Sequence, residues 1–184
     1  MISHENAIKF LHQHILNPNM IKHCLASEAV MRAIALKLNE DPEEWGIAGL
    51  LHDIDVEITN GDPLQHGPYA AGILDGMVSP QAIDAIVMHN EMASGKERAT
   101  VFQYALAAGE TITGLIMATA MVYPDKKIAS VKTKSITKRM KEKAFAASVK
   151  RENILECELI GIPIEDFAEM SLMAMQEISE ELGL

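Results

Sequence analysis

Aromatic residues make up only 4% of the 184-residue chain, and strict alternation of apolar and polar residues is nearly absent. Both absences argue against a sheet-based fold. Cysteine is scarce as well. Cys24 and Cys157 stand far apart and form no CxxC pair, which excludes a disulfide framework and fits a reducing, cytoplasmic setting. Basic residues are in the minority, 16 Lys and Arg against 26 Asp and Glu, for a net charge of −10. A surface of that balance does not as a whole bind nucleic acid or anionic lipid. Met1 to Phe10 carries His4, Glu5 and Lys9 and lacks the apolar core of a signal peptide. The most apolar stretch, Ala99 to Tyr123, is interrupted by Thr100, Gln103, Thr111, Thr113, Gly114 and Thr119 and carries the lone acid Glu110. A carboxylate in mid-span is costly in lipid, so this stretch reads as a buried helix and not a membrane crossing. Repeats, low-complexity tracts and domain-separating linkers are also missing.

What the chain does have is helical period. Hydrophobic residues are 48% and methionines number 12, a helix-leaning composition with enough apolar mass for a core. Ala7, Ile8, Leu11 and Ile15 share one face of a first helix, which Asn17-Pro18-Asn19 ends. A second helix runs from about Met20 to Leu38. Asp41-Pro42-Glu43-Glu44 gives an N-cap, a first-turn proline and two acids for a third, Glu43 to about Ile54. Further helices are expected from Gly67-Pro68, from Ser79-Pro80 to about His89, and from about Glu97 to Val122. Ser135–Phe145 and Pro163–Leu182 complete the set. The expectation is an all-α fold of about eight helices in a single domain, residues 1–184. Its core spans about 20–122 and a helical C-terminal extension about 124–184.

Histidines and acids stand out by placement. His52 and Asp53 are adjacent at the end of an apolar helix, where neighbours about 100° apart can both reach one ion. Glu110 sits on a helix apolar all round. There it must neutralise or find a cation, which could be Arg32, a protonated histidine or a metal. His23, His66 and His89 each lie near a helix end, where side chains of several helices converge. His4, His12 and His14 belong to the exposed-looking first helix and read as solvated or locally structural. Imidazole with carboxylate suits a divalent transition metal, Fe, Mn, Co, Ni or Zn.

The order His23, His52-Asp53 and a distant helical carboxylate resembles the HD superfamily of metal-dependent phosphohydrolases. So do the strings Leu50-Leu51-His52-Asp53-Ile54-Asp55, His66-Gly67, His89-Asn90-Glu91 and Ala108-Gly109-Glu110-Thr111. They are similar in wording to the small HDIG-type members. The resemblance implies His23, His52 and Asp53 as metal ligands, with Glu110 where the family most often has Asp. It places His66 and His89 where two-metal relatives hold a second ion, and Asn90 where some carry another histidine. By the same resemblance, Asp53 would orient or deprotonate water, and His66 or His89, if not ligands, would protonate a leaving group.

Ten of the basic residues fall between positions 126 and 151 and face only Glu142, a local charge of +9 that leaves −19 on the rest. Such a run attracts phosphate, and with Arg32 it nominates Lys126, Lys127, Lys134, Lys138 and Arg139 as substrate-binding residues. Phe145 alone interleaves it, which argues against a single-stranded nucleic-acid platform. The function expected is hydrolysis of a small phosphorylated metabolite, a nucleotide or another phosphomonoester. The alternatives are a dinucleoside polyphosphate hydrolase, a catalytically weak HD domain that senses a nucleotide or metal, and an iron oxygenase on the same scaffold.

Overall fold

Local rules set most helix starts. In the computed structural model, which describes residues 1–184, Ser3, Asn17, Asp41 and Ser79 each accept a backbone N–H from the turn they open. They precede α1 (His4–His14), α2 (Pro18–Leu38), α3 (Pro42–Leu51) and α5 (Pro80–His89), with α4 (Pro68–Leu74) between the last two. After the short α6 (Glu91–Ser94), Thr100 and Gln103 form a reciprocal capping box that opens α7 (Val101–Met121). The remaining helices are α8 (Thr133–Met140), α9 (Arg151–Leu155), α10 (Ile164–Glu177) and α11 (Ser179–Leu182), with 3₁₀ turns at Ile128–Ser130 and Glu156–Ile160. The protein is all-α with no strand, and its eleven α-helices exceed the expected eight. The extra ones are short pieces of four or five residues, too brief to show a period in sequence. The central helix starts at Val101 and not Glu97 because the capping box fixes its first turn at Thr100.

α7 is the axis of the molecule and packs against α2, α3, α5, α8, α9 and α10. Its span has the length and apolar character of a membrane helix, but 67% of that window is buried inside the protein. One cluster of 41 buried apolar residues joins Leu11, Met31, Leu51, Ile86 and Ile112 to Ile136, Ile154 and Phe167 of the extension. Two glycines set the spacing around α2. A Cβ on Gly49 would stand 2.7 Å from the Ser27 carbonyl oxygen, and one on Gly109 would stand 3.0 Å from Met31 Sδ. Both α3 and α7 therefore approach α2 closely, and the residues that follow these glycines, His52 and Glu110, come within reach of His23.

Candidate metal centre

α3 stops at Leu51, so His52 caps it and Asp53 lies in the turn beyond. Residues 52–67 form successive turns and not the extra helical turn expected to Ile54. Asp55 organises them. Fully buried, it accepts from His66 Nδ1 at 2.7 Å and from the backbone N–H groups of Gly67 and Ala70 at 2.8 and 2.9 Å. It thus caps α4 and aims His66 together. Burial alone would raise the Asp55 carboxyl, and the bonds from His66, Gly67 and Ala70 hold it below its ordinary range.

Four imidazoles converge on Asp53. His66, His89 and His52 place Nε2 at 3.1, 3.4 and 3.5 Å from its Oδ1, and His23 Nε2 lies 3.6 Å from its Oδ2. The nitrogens also face one another, His23 to His52 at 3.2 Å and His66 to His89 at 3.0 Å. Their outer nitrogens decide what those inner ones present. His52 Nδ1 donates to the Gly49 carbonyl at 2.8 Å, and His89 Nδ1 donates to that of Ile86. The Thr113 hydroxyl donates to the Glu110 carbonyl at 2.7 Å, which leaves its oxygen to accept from His23 Nδ1 at 2.9 Å. Each Nδ1 therefore keeps its hydrogen, and each Nε2 turns a lone pair inward.

Lone pairs aimed at one another across about 3 Å repel unless a positive charge lies between them. Two nitrogens each ~2.1 Å from a single cation stand roughly 3.0–3.4 Å apart, the separations found here. The donor atoms of His23, His52 and Asp53 lie within 4.8 Å of one another, as do those of Asp53, His66 and His89, so the two sets share Asp53. The residues present fit a divalent cation. Without one, protons must fill the gap. Burial would lower the His66 pKa, but the carboxylates of Asp53 and Asp55 raise it to about 10, while burial takes His52 down to about 3. Burial also works against ionisation of Asp53, and the imidazoles of His52, His66, His89 and His23 outweigh it, holding the carboxyl well below its usual range.

Glu110 stands at the rim of the first set, its Oε2 3.8 Å from His23 Nε2 and its Oε1 accepting from the Thr111 hydroxyl. Its nearest basic neighbour is thus His23. Burial raises its carboxyl above the usual range, with His23 and His89 offsetting only part. Above the cluster opens a cavity of about 350 Å³, completed by Asn90, Thr111, Gly114, Ser148, Val149, Lys150 and Asn153.

The basic residues nominated from sequence do not line this cavity. Arg32 is drawn off by two carboxylates, Glu28 and Glu43, both at 2.8 Å, and faces a larger groove of about 940 Å³ between α2 and α10. That groove is bigger, but chemistry and not size marks the site. Lys126 and Lys127 are exposed in the turn after α7. α8 buries Ile136 against its neighbours and so turns its charges outward; Lys134 and Lys138 line a separate cavity of about 510 Å³. Arg139 pairs with Glu142 at 2.7 Å and lies over the Phe145 ring at 4.0 Å. From the basic run, only Lys150 reaches the histidines' cavity.

A family profile described as HD domain matches residues 20–156. No curated protein and no solved structure gives a significant match. The profile covers most of the chain, including every histidine and acid that converges here, and the chain belongs to the HD domain family.

Proposed function

We propose that the protein is a cytoplasmic, metal-dependent phosphohydrolase that acts on a small phosphorylated metabolite, a nucleotide or another phosphomonoester. The observation that carries this reading is the pair of His–Asp ligand sets sharing Asp53 on the floor of an open, polar cavity. His23, His52 and Asp53 would hold one cation, with Glu110 beside them, and Asp53, His66 and His89 a second. Such an ion, Fe, Mn, Co, Ni or Zn, supplies the Lewis acidity that lowers the pKa of water and withdraws charge from a phosphoryl oxygen. The protein's part is to hold and orient. His66 and His89 have one nitrogen committed to Asp55 or Ile86 and the other turned to the ligand cluster. Neither has a face left to protonate a leaving group, so orienting water falls to Asp53. In the overall step water adds to phosphorus, the P–O ester bond breaks, and the alcohol leaves with a proton.

Metal analysis of the full chain, purified without chelator or tag, tests this directly. One or two equivalents of a transition metal are expected in the wild type, none in Asp53→Ala, which lacks the carboxylate common to both sets, and at least one fewer in His52→Ala, which breaks the first set alone. Protein that takes up no metal after incubation with Mn, Fe, Co, Ni or Zn would overturn the reading. So would a metal-loaded protein that releases phosphate from no phosphomonoester.

A further inference from the structure

The wall facing the metal cluster comes from Asn90, from α7 and from the C-terminal extension, and it offers few free groups. Asn90 is committed, its amide donating to the Pro63 and His66 carbonyls at 2.8 and 2.9 Å. Thr111 donates to Glu110, and Asn153 accepts from Arg98 at 3.2 Å. What remains are the Ser148 hydroxyl and the Lys150 ammonium, the one lysine or arginine on the cavity. Lys150 takes part in no ion pair, whereas Lys138 and Arg139 of the same basic run both pair with Glu142. The segment that bears these two residues is braced from behind. Buried Arg151 donates to the carbonyls of Ala146 and Val149, both at 2.7 Å, and to that of Phe145.

Nothing on the cavity suits a nucleobase. Bases are held by stacking on aromatic rings or guanidinium planes. The only rings here are the imidazoles turned to Asp53, and the only apolar side chain on the wall is Val149. A volume of about 350 Å³ is also near the lower end of ligand pockets, roughly 300–1,000 Å³. Granted the phosphohydrolase reading of the site, we infer that its substrate is a small phosphomonoester of a non-aromatic alcohol, with Lys150 and Ser148 receiving the phosphate. Nucleotides are thereby the poorer ligands of the class.

Calorimetric titration of the metal-loaded full chain separates the possibilities, with inorganic phosphate, glycerol 3-phosphate and adenosine 5′-monophosphate as probes. Glycerol 3-phosphate is expected to bind at least as tightly as the nucleotide. Lys150→Ala should weaken both by about tenfold or more, as loss of a charge-assisted contact does. Lys134→Ala, outside the cavity, should leave both unchanged. Because Lys150 is exposed, its variant should melt like the wild type, which distinguishes lost binding from lost fold. The inference is overturned if the nucleotide binds tenfold more tightly than glycerol 3-phosphate, if Lys150→Ala binds like the wild type, or if no probe binds. Phosphate release is followed in parallel. Should the expected binding pattern appear without hydrolysis of any probe, the hydrolase reading falls while the ligand class stands.

Discussion

At the scale of single residues, Asp55 does the most for its size. One carboxylate caps α4 through Gly67 and Ala70 and fixes the hydrogen of His66 on Nδ1, which is what leaves His66 Nε2 turned to Asp53. Partners of this kind, one bond out from a ligand, typically carry 10–100-fold of metal affinity. Asp55→Asn should therefore weaken the set of Asp53, His66 and His89 by about that factor and leave His23 and His52 able to hold an ion. Competition titration with a metal indicator checks it: loss of one tight equivalent out of two is the expected result, and unchanged affinity would remove Asp55 from that role. The five convergent residues His23, His52, Asp53, His66 and His89 were legible because each combines a ligating side chain with a helix end and a recognisable local wording. Asp55 was legible only as a letter of the string Leu50 to Asp55. In sequence it looks like any loop acid, and only the return of residues 66–70 onto it reveals a buried hub.

Among the elements, α5 and α9 are joined by one buried charge. Arg98, 4% exposed, makes a two-pronged pair with Glu156 at 2.7 Å on both prongs. It also donates to the Met88 and His89 carbonyls at the end of α5 and to Asn153 of α9. It ties the helix that ends in His89 to the extension that walls the cavity. Removing Arg98 leaves half-buried Glu156 without its partner, at a cost of up to about 3–5 kcal/mol. For a chain of this length, Arg98→Met should lower the melting temperature by roughly 6–20 °C. The double variant Arg98→Met with Glu156→Gln should recover part of that loss, since it removes the stranded charge. Thermal unfolding of the three proteins decides between this tie and an incidental surface pair, for which both changes would be small and additive. Element identity was readable from period and capping residues, and boundaries slipped where period runs on through a break, as at Ile178, where the last helix divides in two. The basic run misled for a related reason. Charge counted along a sequence carries no direction, and burial of Ile136 decides which way α8 presents its lysines.

For the whole molecule, the ligand cluster gathers lone pairs that a cation would reconcile, and this would link metal to global stability. The imidazoles come from four separate segments: α2, the end of α3, the turn before α4, and the end of α5. Unfolding disperses them, so an ion that binds the folded arrangement stabilises all of it at once. At a free metal concentration of about 100 times Kd the increment for one site is about 2.7 kcal/mol. In a chain of this size that corresponds to a rise in melting temperature of roughly 5–11 °C. The wild type should therefore melt higher by that margin with metal than after treatment with a chelator, and restoring the ion should reverse the loss. Asp53→Ala, which removes the carboxylate shared by both sets, should show no such difference. An equal metal shift in Asp53→Ala would mean that the ion acts elsewhere, for instance on the acidic surface that carries most of the −19 outside the basic run. No shift in the wild type would mean that the lone pairs are reconciled by protons alone, with His66 as the imidazolium between Asp53 and Asp55.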